Sequence, residues 1–368
     1  MLELEVFDKH NLNKAESNIF IVSTLLQLLG AIEAQKYFKT KNNILVFLFY
    51  GNKNFDESQL LQKKHLFDYD KLIIFSSENT KNLLLLNIAL IKELKKYLYN
   101  QVFVGFFSAN FRRFIANIQY NKLFLIDDGV YTIYIHDELY NPKSRLSNKY
   151  ILPFSEKKRK TFIKKIRFWI FHNFRKNYLL FHGYKNDMKK YDLGFFTMFQ
   201  LEKYGDEIII NHNFNFLKKM HDFDYLTNRL DQKLYFIGQP LERVLDISLD
   251  TYLNYLKIIL CKYKDYKIVY IPHRAESLEK IKRITILVDK ILVPDTNIEL
   301  YLLENKKNLS HVVSFVSTAL YSIRKLLPTS IIEAYILPIQ DNVKVQESLL
   351  LTYKTFSCMD IKIIPLKD

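Results

Sequence analysis

At 368 residues the chain is long enough for two domains or one large one. Its composition is 49% apolar and 15% aromatic, which excludes a disordered chain and provides a sizeable core. The net charge of +15 is compatible with a nucleic-acid, membrane-surface or acidic-substrate partner. Gly and Pro are scarce while Lys, Asn, Ile, Phe and Tyr are abundant, so a compositional bias of the source genome also explains the charge.

The sequence indicates a cytoplasmic protein without a metal ion. No apolar run reaches the roughly 18 residues that span a bilayer, and the start MLELEVFDKHN is not typical of a secretory signal. The two cysteines, Cys261 and Cys358, lie far apart, which predicts free thiols in a reducing compartment. Two cysteines are too few for a zinc site, and no histidines have the spacing of a metal-binding pair.

The first half of the chain alternates apolar strands with amphipathic helices. The helical spacing of Leu25, Leu28, Leu29 and Ile32 predicts a helix directly after the first strand. The predicted strands are Asn18–Val22, Ile44–Phe49, Lys71–Phe75, Gln101–Phe106 and Leu123–Ile126, and a leucine-rich helix is predicted over Leu83–Tyr99. This alternation is typical of a parallel, doubly wound sheet.

Residues 155–176 differ in character, because apolar side chains share one helical face and basic side chains fill much of the remainder. The apolar face consists of Phe162, Ile166, Trp169, Ile170 and Phe174. Two interpretations are open. The helix either lies on an anionic membrane surface, as a peripheral contact, or packs on the core with a solvated basic face.

A second alternating series follows a mixed, polar stretch that contains a weak strand signal at Glu207–Ile210. The predicted strands are Lys233–Ile237, Ile268–Ile271, Lys290–Val293, His311–Val316 and Ile361–Pro365, and helices are predicted around Tyr252–Tyr263, over Asn297–Glu304, from Ser317 onwards and over Val345–Thr355. Two such series predict an α/β protein of GT-B type, with two Rossmann-like doubly wound domains facing a central cleft. The domains are placed at residues 1–225 and 226–368, with a connection near 215–232 and the last helix able to pack back on the first domain.

The segment KIVYIPHRAE, Lys267–Glu276, carries the first candidate site. Its strand stops at Pro272, and His273 and Arg274 follow at the carboxyl end, where open α/β sheets bind ligands. A histidine and an arginine suit an anion, and histidine can move a proton near neutral pH. A structural histidine after a strand is the alternative interpretation.

Ser317 and Thr318 lie where a strand becomes a helix. The free N–H groups of a helix start and the two hydroxyls suit a phosphate, although helix capping alone also explains these residue types.

Carboxylates at two further strand ends are candidate bases. Asp127 and Asp128, followed by Gly129, form a pair suited to proton abstraction, or an ordinary turn. Glu242 follows Gly238-Gln239-Pro240 on another strand-end loop, where a solvated glutamate is the alternative.

Six short motifs occur in the order in which a known family has them. They are NIFIVSTLLQL at Asn18–Leu28 with its Thr24-x-x-Gln27, LIDDG at Leu125–Gly129, IGQP at Ile237–Pro240, IPHR at Ile271–Arg274, NIELYLLENKKN at Asn297–Asn308 and SFVSTAL at Ser314–Leu320. Together they resemble the bacterial sialyltransferases of glycosyltransferase family 52, which modify lipooligosaccharide and capsule.

The resemblance implies a metal-independent, inverting transferase with a GT-B fold. Its donor would be a CMP-activated nonulosonic acid, typically CMP-sialic acid, which is a co-substrate rather than a cofactor, and its acceptor a galactose-type hydroxyl of a surface glycan. His273 would act on the departing CMP phosphate, Ser317 and Thr318 would bind that phosphate, and Glu299 would hold the ribose hydroxyls. Gly238, Gln239, Pro272, Arg274 and Ser314 complete the donor side, and Thr24, Gln27, Asp127 and Gly129 the acceptor side.

The chain departs from the family's pattern at the acceptor-activating base. The family has an Asp after its Gly-x-Pro loop, where this chain has Leu241 and then Glu242, so Glu242 and Asp128 are rival candidates. Arg274 also stands where the family has a proline after its histidine.

Other functions are compatible with the same sequence. They are a GT-B transferase with another donor, such as CMP-Kdo or a UDP-sugar, a non-catalytic scaffold of the same fold, and a basic nucleic-acid-binding protein. The basic residues are spread widely, so a nucleic-acid partner is not expected. The resemblance makes a homodimer reasonable.

Overall fold

The computed structural model describes residues 2–9, 12–50, 54–77, 83–144, 146, 177–188, 190–224, 232–338 and 343–366. They form two compact α/β units. The N-terminal unit comprises the described residues of Met1–Asp128, Glu156–Thr197 and Lys203–His212, and the C-terminal unit those of Gly129–Ser155, Met198–Glu202 and Asn213–Asp368. The basic segment 155–176 lies outside the described residues.

The N-terminal unit is built on an eight-stranded sheet. Its strands are β1 (Leu2–Asp8), β2 (Ser17–Val22), β3 (Asn43–Tyr50), β4 (Lys71–Ser77), β5 (Leu98–Val104), β6 (Gln119–Ile126), β7 (Leu193–Thr197) and β8 (Ile209–Asn211). Their spatial order is β1-β4-β3-β2-β5-β6-β7-β8, and only β1 runs antiparallel to its neighbour. The interior strands contain buried apolar runs, as expected where helices cover both faces of a parallel sheet. These runs are Ile19–Val22, Ile44–Phe49, Leu72–Phe75, Val102–Val104 and Leu123–Ile126. The strand order reverses between β2 and β5.

The C-terminal unit contains a six-stranded, fully parallel sheet. Its strands are β9 (Lys233–Ile237), β10 (Lys267–Ile271), β11 (Lys290–Ile291), β12 (His311–Ser314), β13 (Ile331–Ile336) and β14 (Lys362–Pro365). Their spatial order, β11-β10-β9-β12-β13-β14, is the Rossmann order, and it reverses between β9 and β12. Ligands bind at such reversal points, outside the carboxyl ends of the strands.

Helices connect the strands in both units. In the N-terminal unit they are Leu25–Phe38, Asn54–Lys63, Leu83–Leu94 and Ala109–Ile115. In the C-terminal unit they are Tyr131–Tyr140, Asn215–Met220, Leu241–Val244, Leu249–Leu260, Leu278–Thr285, Ile298–Glu304, Thr318–Leu326 and Val343–Ser357. The predicted pair of Rossmann-like α/β domains, the composition of a GT-B fold, is confirmed.

Several predicted elements differ from the structure. The leucine-rich helix ends at Leu94 rather than Tyr99, because the backbone from Leu98 onwards already pairs with β6. Strand β11 is two residues long rather than four, and β12 ends at Ser314 rather than Val316. Strands β1, β7 and β13 were not predicted from the sequence.

The division between the units also differs from the predicted boundary at residue 225. The chain leaves the N-terminal unit after Asp128, and residues 213–224 belong to the C-terminal unit. There the last helix, Val343–Ser357, packs against Tyr131–Tyr140, and the Tyr134 and Thr352 hydroxyls are hydrogen-bonded at 2.7 Å. The last helix thus packs on a segment that the sequence placed in the first domain.

The cysteines and the helix lengths bear on two further predictions. Cys261 and Cys358 are both exposed free thiols, as predicted. Among the described helices, none combines the length and the apolar character needed to cross a membrane.

Candidate functional site

His273 lies on the loop after β10, at the carboxyl edge of the C-terminal sheet. Its backbone N–H donates to Glu276 Oε2 at 3.0 Å, and its ring Nδ1 accepts from the Ala275 N–H at 3.1 Å. Because Nδ1 is an acceptor, the neutral ring carries its proton on Nε2. Nε2–H is therefore the group that His273 offers to a ligand.

The surroundings of His273 keep its ring neutral. Desolvation and the positive charges of Arg274, Lys280 and Arg243 lower the pKa of His273 to about 4. The side chain is exposed, so solvent screens part of the charge effect, but all of these influences act downwards. At pH 7 the neutral His273 is therefore a hydrogen-bond donor through Nε2.

Glu299 and Arg274 interact at the same edge of the sheet. Asn297 caps the helix start by accepting the Leu300 N–H at 3.2 Å, which places Glu299 in the first turn. Glu299 is only 5% exposed, and the Ser322 hydroxyl donates to its Oε1 at 2.5 Å. Burial raises the pKa of Glu299, and the hydrogen bond from Ser322 and the charge of Arg274 oppose that rise. The guanidinium is thus close enough to influence this carboxyl.

Ser317 and Thr318 form the helix start across the reversal point, next to β9. Ser317 is the N-cap and accepts the Ala319 N–H at 3.3 Å. The Thr318 hydroxyl accepts the Val130 N–H at 3.2 Å. A hydroxyl that accepts a hydrogen bond keeps its own proton to donate. Both predicted phosphate-binding hydroxyls therefore have a fixed position and a remaining donor.

Gly129 lies against Thr318. Its φ of +64° is in the left-handed region, and a Cβ added there would come within 2.7 Å of Thr318 Oγ1. Glycine is required both by the backbone and by the close approach. This contact fixes the position of Gly129 at the helix start within the C-terminal unit.

The loop after β9 is tied to the end of β12. Gln239 accepts the Val316 N–H at 3.0 Å, and the Ser314 hydroxyl donates to the Ile237 carbonyl at 2.7 Å. Ser314 is fully buried, so it supports the site from beneath rather than offering its hydroxyl to a ligand. A Cβ on Gly238 would overlap the Tyr270 hydroxyl and lie 2.6 Å from Glu276 Oε2.

Glu242 forms an ion pair with Lys280, at 3.1 Å between Oε1 and Nζ. Lys280 also pairs with Glu276 at 2.7 Å and is itself 1% exposed. Sequence reasoning missed Lys280 and Glu276. The i,i+4 spacing of this Glu and Lys at the start of a helix indicates an ion pair. The charged segment LEKIKR that contains this Lys is, however, also typical of a solvent-exposed helix face.

In the N-terminal unit, Gln27 organises the reversal point between β2 and β5. Thr24 is the helix N-cap, and Gln27 Oε1 accepts the Ser23 N–H at 2.7 Å. Gln27 Nε2 donates to Asp128 Oδ1 at 2.6 Å. A Cβ on Gly105 would come within 2.5 Å of Gln27 Cδ, so the glycine at the end of β5 makes room for the amide.

The two aspartates of the Asp-Asp-Gly segment have different surroundings. Asp127 is 2% exposed, accepts a hydrogen bond from the Thr197 hydroxyl and lies 3.4 Å from His212 Nε2. It holds neighbouring strand ends together. Asp128 is only partly buried and accepts a hydrogen bond from the neutral Gln27 amide. Of the pair, Asp128 is the carboxylate that solvent and a substrate can reach.

Comparisons with known proteins concern the fold. The chain matches no protein-family model and no curated protein sequence. Its fold is similar to an alpha/beta-galactoside alpha-2,3-sialyltransferase from Photobacterium phosphoreum (12% identity, TM-score 0.47, covering 95% of this chain and 98% of that one). It is also similar to MurG from Acinetobacter baumannii (8%, 0.44, 96% and 86%) and to a UDP-N-acetylglucosamine 2-epimerase from Rickettsia bellii (16%, 0.43, 94% and 88%).

Proposed function

We propose that the chain is an inverting glycosyltransferase that moves sialic acid, or a related nonulosonic acid, from its CMP-sugar to a galactose-type hydroxyl of a bacterial surface glycan. The supporting observation is that His273, with its proton on Nε2, and the neighbouring Arg274 follow the end of β10, on the same sheet edge as the Ser317 helix start. The six motifs supply the choice of donor.

A CMP leaving group needs stabilisation of the charge that develops on its phosphate. Arg274 supplies positive charge, neutral His273 supplies a hydrogen bond from Nε2, and the helix start near Ser317 supplies N–H and O–H donors. Glu299, buried in the first turn of its helix, is assigned to the ribose hydroxyls. No metal ion is assigned a role, and metal independence remains a prediction.

Asp128 is our candidate for the base that activates the acceptor. Glu242 forms an ion pair with the buried Lys280. Protonation of the Glu242 carboxylate would disrupt this ion pair. Asp128 instead accepts a hydrogen bond from a neutral amide and is only partly buried. The Leu241-Glu242 departure from the family pattern is consistent with this choice.

The reaction is a single displacement. The acceptor hydroxyl gives its proton to Asp128 as its oxygen bonds to the anomeric carbon. The bond from that carbon to the phosphate oxygen breaks, and its electron pair leaves with CMP. Attack opposite the leaving group inverts the anomeric centre.

The test begins with nucleotide binding to the wild-type protein. CMP should raise the midpoint of thermal unfolding, and UDP should raise it less. CMP-sialic acid with a galactose-terminated oligosaccharide should then yield a sialylated product and CMP. If CMP protects but CMP-sialic acid is not consumed, CMP-Kdo is the next donor to assay. Protection by UDP alone would contradict the proposed donor class.

The second part of the test removes the histidine. His273→Ala should lower transfer by at least on the order of 100-fold while the thermal midpoint stays near that of the wild type. His65→Ala, at an exposed histidine of the N-terminal unit, is the control and should leave transfer unchanged. Near-normal turnover by His273→Ala would remove the centre of the proposal.

A further inference from the structure

Lys280 is a buried cation beneath the loops of the candidate site. Its side chain is 1% exposed, and its ammonium lies 2.7 Å from Glu276 Oε1 and 2.6 Å from the Gln239 carbonyl oxygen. It also contacts Glu242 at 3.1 Å and lies over the Tyr252 ring, 3.2 Å from the centroid. Its hydrogen bonds, ion pairs and cation–π contact offset the cost of burying the charge.

These partners come from different loops of the same sheet edge. Gln239 and Glu242 follow β9, whereas Glu276 follows β10 and Lys280 lies in the next helix, Leu278–Thr285. One ammonium group therefore joins the loop at the reversal point to the loop that carries His273. Few side chains other than lysine place a compact charge with three donors at such a distance from their own backbone.

Glu276 contacts both Lys280 and the backbone of His273. Its side chain is 0% exposed, and its carboxylate accepts the Tyr270 hydroxyl at 2.9 Å and the His273 backbone N–H at 3.0 Å. A contiguous set of contacts thus runs from Lys280 through Glu276 to the His273 backbone. Gly238 is part of the arrangement, since any Cβ there would meet Tyr270 and Glu276.

We propose that Lys280 is a positioning residue for His273, because it holds the Glu276 carboxylate in place against the His273 backbone N–H. The role in transfer rests on the proposed function, whereas the effect on His273 does not. Desolvation favours the neutral form of the ring most, and the charges of Arg274, Lys280 and Arg243 add to it, while the Glu276 carboxylate lies at the His273 backbone. Lys280 is the only one of the three cations that is buried.

The experiment compares Lys280→Met, which keeps the length of the side chain but removes the charge, with the wild type. The titration midpoint of His273 is measured by NMR in the free protein, without substrate. We expect the midpoint to move upwards, towards the ordinary histidine value, and the His273 amide resonance to shift. If the proposed function also holds, kcat should fall by on the order of 100-fold with a smaller change in KM for the donor.

Three further variants complete the design. Lys280→Gln, whose amide can still donate to Glu276, replaces Lys280→Met if that variant does not fold. Lys280→Arg keeps the charge and should keep the midpoint low. Lys282→Met, at an exposed lysine of the same helix, is the matched control and should change neither quantity.

The outcomes separate the two proposals. If the His273 amide resonance and its titration midpoint both stay at the wild-type values in the neutral variants, the role of Lys280 is overturned, whatever happens to stability. An absence of transferase activity in the wild type overturns the proposed function, and the NMR titration still decides the role of Lys280.

Discussion

The Thr318 hydroxyl accepts a hydrogen bond from the Val130 N–H at 3.2 Å, although 188 residues separate the two in sequence. This bond brings the segment after Asp128 to the helix start that bears Ser317. Two segments far apart in the sequence are therefore direct neighbours in the C-terminal unit. Gly129 makes the approach possible, because its added Cβ would lie 2.7 Å from Thr318 Oγ1.

The first prediction concerns this approach. Gly129→Ala should lower the free energy of unfolding by about 2–3 kcal/mol, since it combines an unfavourable positive φ with a clash. Gly183→Ala is the matched control, because Gly183 has a φ of +74° but nothing within 4 Å of its Cβ position. It should cost only about 1 kcal/mol. Urea unfolding of both variants measures the difference, and equal losses would refute the clash.

A second prediction concerns the room that Gly105 leaves for Gln27. Gly105→Ala places a Cβ 2.5 Å from Gln27 Cδ, which should displace the amide from Asp128 and cost about 1–3 kcal/mol. Gly30→Ala, in the middle of a helix and 3.7 Å from its nearest neighbour, should instead stabilise the protein by about 0.5–1 kcal/mol. Urea unfolding should therefore give opposite signs, and the same sign for both would contradict the structure.

Glu299 should make stability depend on pH in an unusual direction. Burial raises its pKa in the folded protein, so between the ordinary value of 4.5 and the raised value the folded state binds more protons than the unfolded one. Its contribution to stability is therefore lost as pH rises through that window. Glu299→Gln should gain stability relative to the wild type on going from pH 4.5 to pH 8, measured by urea unfolding. Glu304→Gln, at the exposed end of the same helix, should show no such trend.

Glu333 should give the free energy of unfolding the opposite dependence on pH. Although burial opposes it, hydrogen bonds from His311, Tyr263 and Lys362 lower the pKa of Glu333 to about 2. A carboxyl whose pKa is lowered by folding stabilises the folded state at pH values above its unfolded pKa of 4.5. That stabilisation is lost as pH falls towards 2.

Glu333→Gln should accordingly be less stable than the wild type by about 3 kcal/mol at pH 7, and the difference should shrink below pH 4.5. Guanidinium unfolding at several pH values measures it, with the exposed Glu279→Gln as the control. A difference that is constant across this range would exclude Glu333 titration as its cause.

The sequence predicted the elements that carry their own local signal. Lys233–Ile237 is a strand at its predicted bounds, and Asn297 and Ser317 cap the helices that were predicted to begin beside them. An apolar run that ends at Pro272, or a capping residue before a periodic segment, is decided by neighbouring residues. The alternation of these elements was enough for two Rossmann-like domains.

The tertiary structure decided the roles of the polar residues. Asp127 and Asp128 are adjacent and chemically identical, yet burial makes one a structural partner of Thr197 and leaves the other accessible. The sequence made Glu242 a candidate base on a loop, whereas folding places Lys280, 38 residues away, beside it. The ring of His273 is kept neutral by desolvation and by the cations around it, one of which is brought by a later helix. Such outcomes depend on burial and on charges that folding brings together, and no local pattern of residues records them.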